Sequence, residues 1–248
     1  MKTTLFQILL ASLWFTPCTS ASWAPRLPTR ILAGVTVPDT PLIRDALEYA
    51  HQQNTPRTYN HVVHSWLYGV IISSKIPAFQ HVDKELLAVS AILHDLGWDP
   101  AGELVSPDKR FEVDGANAAR EFIRSKAPRW DRRRQQLVWD SIALHTTPSI
   151  ATNKEVEVAV TSIGIGADFS GPNNVTAPGI TWDEWNGVAQ EIPREGFKDE
   201  VKHQAIHLCQ TKKATTADNL MGEYGEKYIP GFNLTGYRPI DFTESGVP

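Results

Sequence analysis

The stretch "DKELLAVSAILHDLG", Asp83 to Gly97, decides how this chain reads. An acidic residue suited to capping a helix opens it, aliphatic side chains fill it, and Gly97 closes it with Pro100 just beyond. The expectation is a helix that is apolar on all sides and therefore buried. Two ionisable groups, His94 and Asp95, sit in that company. A buried carboxylate carries a desolvation cost and normally escapes it by protonation, pairing or metal binding. Adjacent helical residues point ~100° apart, so one ion beside such a helix can meet both side chains. The fold must then bring further polar groups to the doublet.

Working outward, the flanking segments read as helices too. Thr58 to about Ser74, "TYNHVVHSWLYGVIISS", is strongly apolar and carries His61 and His64. Lys154 to about Phe169, "KEVEVAVTSIGIGADF", is apolar and ends near Asp168. Further helices are expected over Pro41–His51, Val113–Ser125, Asp131–His145, Thr181–Gln190 and Gly196–Leu208. "RILAGVTV" is the one run that tempts as a strand. The fold class is therefore all-α, a bundle of about seven helices. It is preceded by a proline-rich arm over residues 22–40, occupies 41–232, and ends in a polar tail over 233–248.

The chain has 248 residues, 42% of them hydrophobic, which suits one globular domain with a sizeable core. A net charge of -4 gives no reason to expect a nucleic-acid partner. Residues 1–21 place Lys2 before an apolar run from about Leu5 to Phe15 and then small residues, the layout of a secretory signal peptide. Secretion is the expected localisation, with no membrane partner in the mature form. Asn174 and Asn233 open N-x-[ST] triplets and are candidate glycosylation sites. Loss of Cys18 with the signal would leave Cys209 unpaired, so the core must hold the fold without a disulfide.

Imidazoles and carboxylates in three apolar helices suit a divalent ion such as Zn²⁺, Fe²⁺ or Mn²⁺ at ~2.1 Å, and no cysteine is placed to join them. A first histidine in "YNHVV", a doublet in "AILHDLG" and a distant aspartate in "GADFSG" resemble the pattern of the HD-domain superfamily of metal-dependent hydrolases. "RTYNHVVHSWLYG", "RFEVDGANAAREFI", "DSIALHTTPSI" and "ATTADNLMGEYGEKYIPGF" are similar, in the same order, to fungal cyanamide hydratase-like proteins. That resemblance implies an HD-type helical bundle and makes His61, His94, Asp95 and Asp168 the metal ligands. It implies one divalent metal, zinc before iron or manganese. It also implies addition of metal-activated water to a small nitrile-like molecule, of the cyanamide-to-urea type, or to a related secondary metabolite.

Three further residues are candidates for chemistry, each with a plainer alternative. His145 would donate a proton or position substrate, or simply bond carbonyls at a helix end. Asp114 would orient a ligand, or cap its helix. His64 would reach the cavity from one turn after His61, or be a satisfied core histidine. Glu112 reads equally as a base or a solvated side chain. Two other functions stay open. A metal-dependent phosphohydrolase would need cations near the metal, and Arg57, Lys109 and Arg110 are the ones in the flanking segments. A metal-stabilised binding protein would need no catalysis. The expected partner is a small molecule, and self-association is left open.

Overall fold

A computed structural model describes residues 27–99, 102–173 and 175–246. The signal-peptide reading, Cys18 and Asn174 lie outside the described residues. Asn233 is exposed, and its side-chain oxygen accepts from the Thr235 amide at 3.2 Å.

The architecture is all-α, with one small sheet. The segment expected to be an irregular arm contains an antiparallel hairpin, β1 (Thr29–Leu32) and β2 (Val35–Pro38), in register Leu32↔Val35. Ala33 and Gly34, both at positive φ, make the two-residue turn that matches strand twist. The hairpin is ordered because it has something to bury: Val37 is completely inaccessible.

Helix α1 (Pro41–Gln53) is capped by Thr40 and α2 (Pro56–Lys75) by Thr55, each with proline at its start. Next come α3 (Lys84–Leu93), α4 (Phe111–Lys126), α5 (Arg132–Ala143) and the four-residue α6 (Pro148–Ala151). The chain continues through α7 (Val156–Ser170), α8 (Trp182–Glu191), α9 (Phe197–Thr211), α10 (Leu220–Tyr228) and α11 (Pro239–Glu244). Eleven helices thus stand among the described residues where about seven were expected. Three of them, α6, α10 and α11, fall outside every expected span and are too short for a periodic apolar pattern to declare itself. The polar tail is likewise not featureless: Leu234 is buried and α11 follows it.

The centre of the bundle is the pair α2 and α7. Gly164 of α7 lies against α2 so closely that a Cβ there would sit 2.6 Å from the Ser65 carbonyl oxygen and 3.0 Å from the Gly69 backbone. This approach runs the two helices past each other and brings the C-terminal end of α7 to the N-terminal half of α2, where His61 stands. The Asp83 helix behaves as expected at its start, where the Asp83 carboxylate accepts from the Glu85 and Leu86 amides, both at 3.1 Å. Its end differs from expectation. The α-helix stops at Leu93, and His94 to Gly97 form tighter turns with Leu96 N–H to Leu93 O and Trp98 N–H to Asp95 O. At this end the His94 ring donates to the Ala91 carbonyl at 2.8 Å.

Two apolar clusters result. The larger joins the hairpin and α1–α5 with α7. The smaller gathers Trp98 and Phe111 with side chains of α9 and α10, including Phe197, Val201 and Met221.

Candidate metal centre

His61, His94 and Asp95 are buried, and one ligand-type atom of each lies within 4.8 Å of the others. Their hydrogen bonds assign the tautomers, because a carbonyl or carboxylate oxygen can only accept. Nδ1–H of His61 donates to Asp168 Oδ2 at 2.7 Å. Nδ1–H of His94 donates to Ala91 O at 2.8 Å. Nδ1–H of His145 donates to Ile142 O at 2.7 Å. Each ring therefore presents a bare Nε2 lone pair to the inside. His94 Nε2 is 3.2 Å from Asp95 Oδ2, and His61 Nε2 is 3.8 Å from the same oxygen. His145 Nε2 is 3.8 Å from Asp95 Oδ1. Three acceptor nitrogens thus surround an acceptor carboxylate. His94 Nε2 is buried with no hydrogen-bond partner among the described residues. Buried acceptors facing acceptors are costly unless a cation joins them. The donor set fits a divalent ion of the borderline class, and the outward Nδ1–H bonds are the arrangement that orients metal-binding imidazoles.

The electrostatics agree. Burial pushes the His61 imidazole well below its ordinary value, and neighbouring His94 adds to this. Burial, and then His94, lower His145 to about 4. Both rings are neutral at pH 7, as ligation or proton acceptance requires. Burial alone would raise the Asp95 carboxyl, whereas positive charge at His94, His61 and His145 outweighs burial and would hold the group below the usual carboxylate range. A cation in the same place would act in the same direction.

Asp168, the fourth expected ligand, lies beside this group, bonded to His61. It is fully buried, but it stands behind His61 and does not share the gathered group. One oxygen takes the His61 Nδ1–H. The other is ion-paired with Arg194, which also donates to the Asp168 backbone carbonyl. Arg194 lies over the Trp185 ring at 4.5 Å. Asp168 therefore fixes the ring orientation of His61. Arg194 was missed in the sequence, since a single arginine in "EIPREGF" carries no pattern.

The three secondary candidates separate. His145 bonds a carbonyl at its helix end, as one of its two readings expects, and its ring also faces the centre. His64 points away from the doublet. Its Nε2–H donates to Ile192 O at 2.9 Å, its Nδ1 lies 3.2 Å from Asp168 Oδ1, and burial lowers it to about 4. Asp114 neither caps a helix nor meets an imidazole in its recorded bonds. It accepts from the Ser106 amide and hydroxyl at 3.0 and 2.7 Å and from Lys212 Nζ at 2.8 Å, a buried clamp between α4 and the end of α9. Glu112 is not solvated; it is fully buried and takes Arg110 Nη2–H at 2.6 Å and the Thr146 hydroxyl.

The metal centre forms the floor of a cavity of about 360 Å³. Trp98, Phe111, Phe169, Phe197, Met221 and Tyr224 contribute to its walls. The rings of Phe197 and Phe169 flank His61 at 4.5 and 5.0 Å. No lysine or arginine lines it among the described residues. Arg57 is instead 3.7 Å from Glu200, and Arg110 is tied to Glu112.

An all-α bundle thus buries two histidines and an aspartate under one cavity, in a group that could hold a metal ion. Residues 58–173 match the family model of the HD domain, which supports placing the chain in the HD superfamily, and the His61, His94 and Asp95 cluster indicates a divalent metal. No curated protein matches the chain.

Proposed function

We propose that this protein is an exported metal-dependent hydro-lyase that adds water across the carbon–nitrogen triple bond of a small neutral molecule. The observation that carries the reading is the set of inward lone pairs on His61, His94 and His145 around Asp95, at the floor of a cavity without cationic side chains. A phosphoester would call for arginine or lysine at that floor. Export rests on the layout of residues 1–21 alone.

A divalent cation bound at this centre supplies Lewis acidity and brings the pKa of coordinated water to ~7. The chain supplies the rest. His61, held by Asp168, and His94, held by the Ala91 carbonyl, keep their Nε2 atoms fixed, so little reorganisation is needed on binding. His145 Nε2 is unprotonated and so first acts as a proton acceptor. It takes a proton from water as the oxygen bonds to the nitrile carbon. One C–N π bond opens onto nitrogen, and His145 returns the proton there. Transfer of the second water proton to nitrogen completes the amide. The donor role expected of His145 thus follows its action as base. The apolar walls leave the floor as the place where the polar group is held.

The test is direct. Zinc-, iron- and manganese-loaded protein is incubated with cyanamide and with simple nitriles, and urea or amide is measured. Product from wild type and none from His94→Ala, at matched protein concentration, is the expected result. No hydration of any nitrile by protein carrying a full complement of metal sinks the reading.

A further inference from the structure

Cyanamide has three heavy atoms and fills on the order of two water volumes, ~60 Å³. The cavity is about 360 Å³, within the ~300–1,000 Å³ range of sites that enclose drug-sized ligands. His61, His94, Asp95 and His145 supply its titratable groups, Thr146, Ser162 and Tyr224 add hydroxyls, and the rest of the lining is aromatic or aliphatic. The apolar character continues to the surface. Phe169 and Leu220 line the cavity and are nevertheless 50% and 47% exposed. Large apolar side chains left in water beside an apolar cavity mark a place where an apolar body enters. The wall also has room built into it: a Cβ on Gly166 of α7 would meet nothing within 4 Å, although the neighbouring Ile165 and Ala167 are buried.

We propose that the substrate is an uncharged molecule with an aromatic or branched apolar body and one reactive polar group, the body held between α7, α9 and α10 and the polar group directed to the His61–His94–Asp95 floor. The position of the reacting group rests on the metal-enzyme reading. The apolar body rests on the cavity alone. A small nitrile reaches the floor but leaves most of the cavity to water, so it binds weakly. A neutral nitrile carrying a ring displaces that water and buries the ring against Phe197, Met221 and Tyr224.

The probes are phenylacetonitrile and acetonitrile, which share the reactive group and differ in the ring. Dissociation constants are measured by ligand-observed NMR on zinc-loaded protein. Phenylacetonitrile is expected to bind at least tenfold more tightly. Gly166→Leu, which fills the open wall and spares the gathered side chains, is expected to reduce that preference at least fivefold at unchanged zinc content. Should Gly166→Leu not fold, Leu220→Glu at the exposed rim takes its place with the same expectation. Equal affinity for the two nitriles in wild type overturns the proposal, as does an unchanged preference in a folded, zinc-bearing variant. Ring-dependent binding without hydration of any nitrile upholds this substrate class and removes only the reaction. Urea from cyanamide without ring preference upholds the reaction and removes the substrate class.

Discussion

A histidine ring has two nitrogens, and this protein uses them for opposite tasks. In His61, His94 and His145 the Nδ1–H is spent on a structural acceptor, leaving Nε2 bare toward the cavity. If Asp168 acts through His61, Asp168→Asn lowers zinc affinity about 10–100-fold, the usual cost of losing such a partner. His94→Ala lowers it further, because a lone pair at the centre is removed. Competition with a chromophoric chelator measures both, and equal losses would make Asp168 a ligand in its own right. The gathering of His61, His94 and Asp95 was legible in the sequence, since polar groups in apolar helices must find one another. The partnership of Asp168 with Arg194 was not, because the loop that carries Arg194 shows no periodicity. Cys209 gives a second expectation at this scale. Its thiol is buried and donates to the Met221 carbonyl at 3.0 Å, and burial raises its pKa. It should resist iodoacetamide in the native protein and react after denaturation in urea.

At the scale of elements, the contact of α2 with α7 sets the geometry of the centre. Gly164→Ala introduces a methyl against the Ser65 carbonyl, and overpacking of this kind costs about 1–3 kcal/mol. A lower urea midpoint is expected, and also weaker zinc binding, because the displaced α7 carries Asp168. The clamp of Asp114 with Lys212 ties α4 to the end of α9, both partners being buried. Asp114→Asn leaves a buried ammonium without its counter-charge and should destabilise by about 3–5 kcal/mol. Pairing it with Lys212→Met should restore part of that loss in the same unfolding assay. The long helices were readable from caps and apolar runs. The doublet's position just past the end of α3 was not, since Gly97 and Pro100 place the expected end of the helix beyond it. The hairpin's turn also hid its signal, with Ala33 at positive φ where asparagine or glycine is usual.

For the whole molecule, a cation would act as a ligand that the native state binds and the unfolded chain lacks. Such a ligand stabilises by ~2.7 kcal/mol when present at a hundred times its dissociation constant. Exhaustive chelation should lower the melting temperature, and zinc should restore it; a melting temperature indifferent to chelator would argue against a centre at His61, His94 and Asp95. Among the described residues no helix is long and apolar enough to cross a membrane. The HD match ends at residue 173, before α8, α9 and α10. Phe197, Val201, Met221 and Tyr224 nevertheless form one side of the cavity.

That division has a consequence for how such proteins can diversify. The apolar wall draws on both lengths, with Trp98, Phe111 and Phe169 from the matched one and Phe197, Met221 and Tyr224 from the later one. Under the proposed substrate class, a new guest can therefore be admitted by exchanging Tyr224 alone, and zinc content should stay as it was.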